Sequence, residues 1–543
     1  MKNSFQKNNF IVLLWGMIVG ILVTTAGMVF VLIASKTVRD HPEHKSIIWD
    51  KMATSLAVLK DRGVFSSKSR GQQDVHAMLE LTVHPLKVVR PISPLIYGSN
   101  LTAKTEFEMD VAKFAKETGV SIFRFPGSSS EGYHWQTGKF DFNDRFDNAP
   151  LSKIENVINF CEISGAKLLL QVNIESGTPQ EAAQWVKYMS QQKGSYVQYW
   201  ELGNEVYGDW ERNYMPAEQY AGLVKDYALA MKEADPSIKI GANFGGPNFP
   251  LFDETLMKLS APHIDFVSYH WYPNHVNKSH PYKESIHPFP EDLMANAHNI
   301  GYMVKRVDDF IAKYAPERKG KMEVSFLEWD GSWDAPASDL NYSHKAMMWS
   351  LANAIFYADT LGQFVRHGVT VALQYDFQEV MFGLIRGWDK EAGWSGDRWD
   401  GQTIRPKALA LQLFARYFGD ELVESSLSGS PVYFNERDWR ADSYEGDVPY
   451  VTAYVSRFSK ENKIAVALIN KHADDDFVVK ISVKEVPLKA SGRVWILNGP
   501  DLKSQNDGQQ GLVKIEKYKL QDIKDEFLYK VPAHTVNMIQ MEW

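Results

Sequence analysis

The chain predicts a (β/α)8 TIM barrel followed by a C-terminal antiparallel β-sandwich domain, with an N-terminal transmembrane helix ahead of both. Three observations carry this expectation. Eight short runs rich in β-branched and aromatic residues alternate with longer segments of helical periodicity. After residue 418 the rhythm changes to short alternating runs separated by Gly, Asn and Asp. From Phe10 to Ala34 no residue is charged, and at 1.5 Å rise per residue such a stretch covers the roughly 30 Å hydrocarbon core of a bilayer.

Taken in order, residues 1–35 read as an anchor or a signal. Their apolar run is longer than the 7 to 15 residues usual for a cleaved signal, which favours a retained anchor. Lys2 and Lys7 precede it while Lys36 and Arg39 follow, so the charge flanks set no orientation. Residues 36–73 are polar with little sustained apolar periodicity and read as a stalk. The segment 74–92 contains an apolar run, Ala77 to Val89, with no helix of its own, and is expected to pair with the C-terminal sheet. The barrel occupies 93–418. Its strands are expected at 95–98, 121–125, 167–173, 197–202, 239–243, 265–270, 323–328 and 369–375, ending about 40 residues apart on average. Helices are expected at 106–119, 151–165, 179–192, 217–234 and 406–418. The sandwich takes 419–543, with strands near 432–434, 451–457, 464–469, 477–483, 492–497 and 536–541. A doubly wound dinucleotide fold is disfavoured because no GxGxxG follows a strand.

Composition narrows the function. Apolar residues make up 44% and charged residues 23% of the 543, which suits a globular protein with a sizeable core rather than a disordered or polytopic one. Asp plus Glu outnumber Lys plus Arg, 67 to 59, and no basic block tracks a phosphate backbone, so nucleic acid is not an expected partner. A single cysteine, Cys161, allows no internal disulfide and no multi-cysteine metal site.

In a barrel of this kind the functional groups follow the C-terminal ends of the strands. That rule selects Asn100, Arg124, Trp135, Asn173, Glu175, Asn204, Glu205, Asn243, His270, Tyr272, Glu328, Asp330, Gln374, Asp376 and Glu379. The lining is acidic, amide and aromatic with few Lys, which suits an uncharged polyhydroxylated ligand better than a phosphate ester. Glu205 follows strand four after Gly203 and Asn204; Glu328 ends strand seven before Trp329. Strands four and seven lie on opposite sides of an eight-membered ring, so two inward Glu can flank a bond held between them, as glycosidic cleavage needs. A single Glu at a strand end is as readily a solvated or ion-paired carboxylate; it is the opposed pair that carries the argument.

Glu201, two residues inside strand four, is expected to pair within the barrel or pack outward, and Arg124 to tune charge beneath the site. Trp135 and Tyr272 read equally as sugar contacts or packed aromatics, and His270 more readily as core. The histidines at 270, 275, 280 and 287 lack the fixed spacing of a zinc motif, and no HExxH occurs. Ser128 to Ser130 lack the GxSxG elbow of a serine hydrolase. No metal and no cofactor are expected.

The residues resemble a known group, the clan A glycoside hydrolases, and within it the family 51 α-L-arabinofuranosidases, over most of 76–543. Carrying the resemblance are Ile96-Tyr97-Gly98, Phe123 to Gly127, Gly132 to Trp135, Val172-Asn173, Tyr199-Trp200 with Leu202 to Glu205 and Tyr207-Gly208, Ser268 to Tyr272, Glu328-Trp329 and Gln402 to Ile404. The resemblance implies a retaining mechanism, with Glu205 as acid/base and Glu328 as nucleophile, and sugar contacts from Asn204, Tyr272 and Gln402. The nearby Glu328 carboxylate is expected to keep Glu205 protonated at rest. The sequence departs from the family at Thr102, where a Glu that holds arabinose hydroxyls is usual, at Ser128, at Asp330, where Asn is usual, and along strand eight. The catalytic pair is thus better supported than the sugar. Endo-acting β-glucanases and xylanases of the same clan share the pair, and a non-catalytic carbohydrate-binding protein on this scaffold is the alternative from another class. Since the flanks leave orientation open, it is the glycan-cleaving chemistry that favours an extracytoplasmic catalytic part, or a secreted one if the segment is cleaved.

Overall fold

The computed structural model describes residues 78–543 apart from 103–104, 106, 128–131, 142–152, 194–196, 275–288, 333–346, 380–381, 387–402, 437–439 and 508–510. The anchor and stalk expected over 1–73 lie outside these residues. Among the described helices none is long and apolar enough to cross a membrane.

The first strand, β1 (Leu79–Pro91), joins the C-terminal sheet. The closed barrel follows: β2 (Gly98–Asn100), β3 (Ile122–Phe125), β6 (Lys167–Val172), β7 (Val197–Leu202), β8 (Lys239–Phe244), β9 (Phe266–Trp271), β10 (Glu323–Trp329) and β11 (Val371–Gln374), all parallel. A small hairpin, β4 (Tyr133–His134) with β5 (Lys139–Phe140), rises between β3 and β6. The expected strands thus stand within a residue or two of their places, except the first. There Ser93 accepts from the Leu95 backbone and Pro94 starts a 3-10 turn, which delays the strand to Gly98. The helices at Met109–Thr118, Ile154–Ser164, Pro179–Lys193, Ala217–Ala234 and Pro406–Tyr417 fall where the periodicity puts them.

Period-two alternation separates lumen from wall. Leu95, Ile122, Leu169, Tyr199, Phe266, Leu327, Val371 and Leu373 form one small cluster that plugs the barrel interior. Their outward neighbours Phe123, Leu168, Leu170, Trp200, Leu202, Val267 and Phe326 belong instead to the large core under the helices. In β10 the register slips between Phe326 and Glu328 on the β9 side, so a bulge lets Leu327 plug the lumen while Glu328 also faces inward. Bulges next to active sites commonly re-aim a side chain in this way.

Beyond the barrel come β12 (Glu421–Ser428), β13 (Val432–Asn435), β14 (Gly446–Pro449), β15 (Val451–Arg457), β16 (Lys463–Asn470), β17 (Phe477–Val483), β18 (Ser491–Asn498), β19 (Lys514–Gln521), β20 (Glu526–Val531) and β21 (Thr535–Glu542). Eight of them join β1 in one nine-stranded sheet, in the order β19-β18-β21-β16-β15-β12-β1-β17-β20. β1 pairs with β12 antiparallel and β17 parallel, as the apolar run at 77–89 predicts. The run at 432–434 does not enter this sheet: β13 pairs with β14 in a separate ribbon. Within β16, Ile464, Val466 and Leu468 share a core with Leu79, Val83, Val479 and Ile481, whereas Ala465, Ala467 and Ile469 pack into the barrel's core. No helix of the described residues beyond 419 covers the first set, so the sheet closes over its own inner face as a sandwich. Its other face is fixed to the barrel helix Leu351–His367, where buried Asp359 takes Lys471 Nζ at 2.8 Å and the Thr452 and Tyr454 hydroxyls at 2.7 Å each.

Candidate active site

The site is built in two tiers on the C-terminal ends of the strands. In the lower tier Arg124 of β3, fully buried, spreads its guanidinium over four partners. Nε donates to Glu201 Oε2 at 2.6 Å, Nη1 to Glu328 Oε1 at 2.6 Å and Asn100 Oδ1 at 3.0 Å, and Nη2 to Asn204 Oδ1 at 2.8 Å. Burial works against its charge, but Glu201 and Glu328 outweigh it and push its pKa up. Glu201, from β7, faces the lumen as its alternation with Trp200 requires. It takes the Asn243 amide at 2.6 Å and the Ser268 hydroxyl as well as Arg124. Burial pushes its carboxyl up, yet Arg124 and His270 bring it down to about 2.

The upper tier holds the two predicted acids. After β7 the chain turns through Gly203 at φ +73°, where a Cβ would meet Ile174 Cδ1 at 2.6 Å. Only glycine fits there. Two residues on, Glu205 is itself left-handed at φ 43°, a conformation uncommon outside glycine and enriched where function constrains the backbone. Its Oε1 meets His270 Nδ1 at 2.9 Å and its Oε2 accepts from Trp210 Nε1 at 2.6 Å. Glu328 is held by Arg124 on Oε1 and by the Tyr272 hydroxyl, which donates to Oε2 at 3.0 Å. Burial and the Glu328 charge raise the Tyr272 phenol far above its usual range, so it stays a donor. One oxygen of Glu205, one of Glu328 and a ring nitrogen of His270 all lie within 4.8 Å of one another.

His270 is buried, as its core reading expects, but its neighbours are charged rather than apolar. Its ring sits among three carboxylates, with Nε2 3.5 Å from Glu201 and Nδ1 3.7 Å from Glu328. Burial lowers its pKa, but the charge of Glu328 and the contacts with Glu201 and Glu205 lift it to about 10. The three carboxylates thus favour the imidazolium form of the ring. That changes the expectation for Glu205: burial pushes the acid up, but the His270 hydrogen bond and charge, the Trp210 indole and Arg124 together hold it below the ordinary carboxylate value. A protonated ring also suits a metal poorly, although these three side chains are the one cluster of the described residues close enough to share an ion.

Of the other predicted contacts, Asn204 stands beside Arg124 and Tyr272 on Glu328. Trp135 stacks on Trp185, rings 6.2 Å apart and 5° from parallel, beside Tyr188; it has no bond to either acid. Gln402 lies outside the described residues, as do the histidines at 275, 280 and 287. Asp330, where the resemblance expects Asn, is fully buried and takes Lys407 Nζ at 2.5 Å, Gln374 Nε2 at 2.9 Å and Asn353 Nδ2 at 3.1 Å. Thr102, at the place of the usual Glu, is buried, and its backbone N–H donates to Thr105 Oγ1. The sequence did not single out Trp210 or Glu211; both sit on the loop after Glu205, where only the fold shows what they touch.

No family model matches the chain. In sequence it is 25% identical over 443 residues to an intracellular exo-α-(1→5)-L-arabinofuranosidase of Bacillus subtilis, covering 74% of this chain and 82% of that protein. It is likewise 25% identical over 455 residues to α-L-arabinofuranosidase C of Emericella nidulans, covering 74% and 86%. Among solved structures, the α-L-arabinofuranosidase of Thermotoga maritima in complex with arabinose superposes with a TM-score of 0.71 at 23% identity, over 86% of this chain and all of that one. A family 44 xyloglucanase of Paenibacillus polymyxa superposes less closely, with a TM-score of 0.59 at 14% identity and the same coverage. These two likenesses show a shared fold.

Proposed function

We propose that this chain, a glycoside hydrolase resembling the family 51 α-L-arabinofuranosidases, cleaves glycosidic bonds in an oligosaccharide or polysaccharide with retention of configuration. The observation that carries the mechanism is the spacing of Glu205 and Glu328, whose nearest oxygens are no more than 4.8 Å apart. Retaining enzymes hold their carboxyls about 5 to 5.5 Å apart, and inverting ones about 6.5 to 9.5 Å. Glu328, oriented by Arg124 and Tyr272, attacks the anomeric carbon while Glu205 gives its proton to the departing oxygen. The bond to that oxygen breaks and an ester to Glu328 forms. Water then attacks the anomeric carbon, Glu205 takes its proton, and the bond from that carbon to Glu328 breaks to release the carboxylate.

The sugar read from the resemblance is α-L-arabinofuranose. Thr102 in place of the usual Glu favours a second reading, cleavage of a β-linked glucan or xylan by the same pair. The uncharged run Phe10–Ala34 supports an anchored enzyme, a glycan substrate favours a barrel outside the cytoplasm, and Asn204, Tyr272, Gln402 and Trp135 are the proposed sugar contacts. The test is hydrolysis by the detergent-solubilised full-length chain of aryl arabinofuranoside, xyloside and glucoside, and of arabinan, xylan and glucan, with Glu205→Gln and Glu328→Gln as controls. Turnover lost in both variants supports the reading and names the sugar; binding without turnover on every substrate overturns it in favour of a carbohydrate-binding protein.

A further inference from the structure

Beyond β11 the chain folds back on itself beside Glu328. Gln374 pairs with Trp329 across β11 and β10, and the next residue, Tyr375, donates its N–H to Trp329 O at 3.1 Å. Tyr375 and Glu328 therefore stand at the ends of adjacent strands. Leu384 and Ile385 donate back to the carbonyls of Asp376 at 3.0 Å and Phe377 at 3.1 Å, which returns Phe382 to Tyr375. The Phe382 ring lies 5.6 Å from that of Tyr375, at 61°, and 6.4 Å from that of Tyr272, at 62°. Tyr272 is the residue whose hydroxyl donates to Glu328, so one aromatic face runs outward from that carboxylate. All three rings are partly exposed, and among the described residues none of them belongs to the hydrophobic cores. The face is also held from behind. Gln374 Nε2 donates to Phe382 O at 2.7 Å and to Tyr375 O, Lys407 Nζ donates to Phe382 O at 2.5 Å, and Phe382 N donates to Glu379 Oε2 at 2.8 Å. Gln374 and Lys407 are the same two residues that bind Asp330. Asp330 and strand eight, two departures from the family pattern, are thus parts of one device.

We propose that Tyr375 and Phe382, continuing from Tyr272, form the wall of the glycone subsite and take the C–H face of the sugar that becomes bonded to Glu328. The inference rests on the reading of Glu328 as nucleophile. In a retaining reaction the nucleophile meets the anomeric carbon of the glycone while the acid/base meets the leaving oxygen. Side chains that continue from Glu328 therefore lie against the glycone, and those around Glu205 lie against the leaving group. A fixed, partly exposed aromatic face gains by covering apolar surface, and the C–H groups on one side of a sugar ring supply it. Thr102, where the family's Glu holds hydroxyls, has no carboxylate to offer, and its N–H is bonded to Thr105. Recognition thus shifts from the hydroxyls of the glycone towards its carbon skeleton. The wall carries no cation, and Arg124 is already spent on Glu201 and Glu328, so the glycone that fits is a neutral sugar rather than a uronate. Tyr375 and Phe382 contact substrate in this account; Gln374, Lys407 and Asp330 act through them by fixing the turn that aims the two rings.

The test is competitive inhibition of the full-length chain by the released monosaccharide, compared with Phe382→Leu and Phe382→Tyr. The free sugar fills the glycone subsite alone, so its Ki reports on the wall and not on the leaving-group side. Leucine keeps apolar volume without a flat face and should raise Ki by about tenfold, whereas tyrosine keeps the ring and should stay within about twofold of wild type. A merely structural role predicts a lower kcat with an unchanged Ki in Phe382→Leu, and that result overturns the proposal, as does an equal rise in both variants. A second measurement needs no turnover: saturation-transfer NMR with xylose, glucose and arabinose should show their ring C–H protons saturated by the wild type and much less by Phe382→Leu. If the wild type hydrolyses nothing, the function above fails and the NMR experiment decides the wall by itself. Binding of none of the three sugars, or equal saturation by wild type and Phe382→Leu, overturns the wall as well.

Discussion

Arg124 and Glu328 meet at 2.6 Å on the floor of the site, and the same guanidinium meets Glu201 at 2.6 Å on its other edge. One cation therefore holds two carboxylates, Glu201 beneath the site and Glu328, the proposed nucleophile. Removing it leaves two buried acids facing each other.

Arg124→Met should cost about 3–5 kcal/mol of stability, the range for breaking a buried ion pair by deleting one partner. Chemical denaturation of the variant against wild type measures it. Arg124→Lys restores the charge without the planar fork and should recover only part of the loss.

Glu205→Ala should slow hydrolysis of a substrate with a poor, sugar-like leaving group by about 10²–10⁴-fold, the usual worth of a general acid. A nitrophenyl leaving group, which departs without a proton, should suffer much less in the first step. Equal losses on both substrates would remove Glu205 from the acid role.

His270 predicts an alkaline loss of stability. Its folded-state pKa of about 10 lies above its ordinary 6.5, so the stabilisation is complete below about pH 6.5 and disappears as pH rises through 10. Glu201 acts in the opposite sense: lowered from 4.5 to about 2, it contributes stability above pH 4.5 that is lost as pH falls through 2. Thermal unfolding scans across pH 3 to 10 should show both slopes, and His270→Gln should flatten the alkaline one.

Asp330 and Lys407 should behave as a unit. Lys407→Met leaves a buried carboxylate unpaired and should destabilise by about 3–5 kcal/mol. Adding Asp330→Asn removes the charge while keeping an acceptor for Gln374 and Asn353, so the double variant should be more stable than Lys407→Met alone. A double-mutant cycle with strong coupling is the expected outcome.

The barrel was legible because its strands are apolar runs with turn signals at both ends, and the nearness of Glu205 and Glu328 because strand ends in a barrel converge. The C-terminal sheet was less so. The strand Lys514–Gln521 lies at the sheet's edge, carries three lysines and a glutamate, and is half exposed along its length. Its pairing comes from backbone bonds to β18 rather than from an apolar pattern, and charged edges of this kind guard against aggregation. The site shows the same division. Glu205 and Glu328 are visible as residues, but the charge on His270 depends on three carboxylates arriving from β7, the loop beyond it and β10, which no local pattern encodes. Glu211 sits in a loop of ordinary composition, and its contact with Asn204 exists only because successive turns close that loop.

The position of β1 sets a condition on synthesis. Leu79–Pro91 is an interior strand of the nine-stranded sheet, between β12 and β17, so its first partner lies more than 300 residues later in the chain. At about 5–20 residues per second, a ribosome takes tens of seconds to deliver both neighbours. Throughout that interval the barrel can assemble while an apolar strand waits at its threshold with both edges open. A nascent chain of this design calls for a holding chaperone or a sheltered exit until its last quarter emerges, and chains cut short before β17 should be degraded or aggregate rather than accumulate as a free barrel.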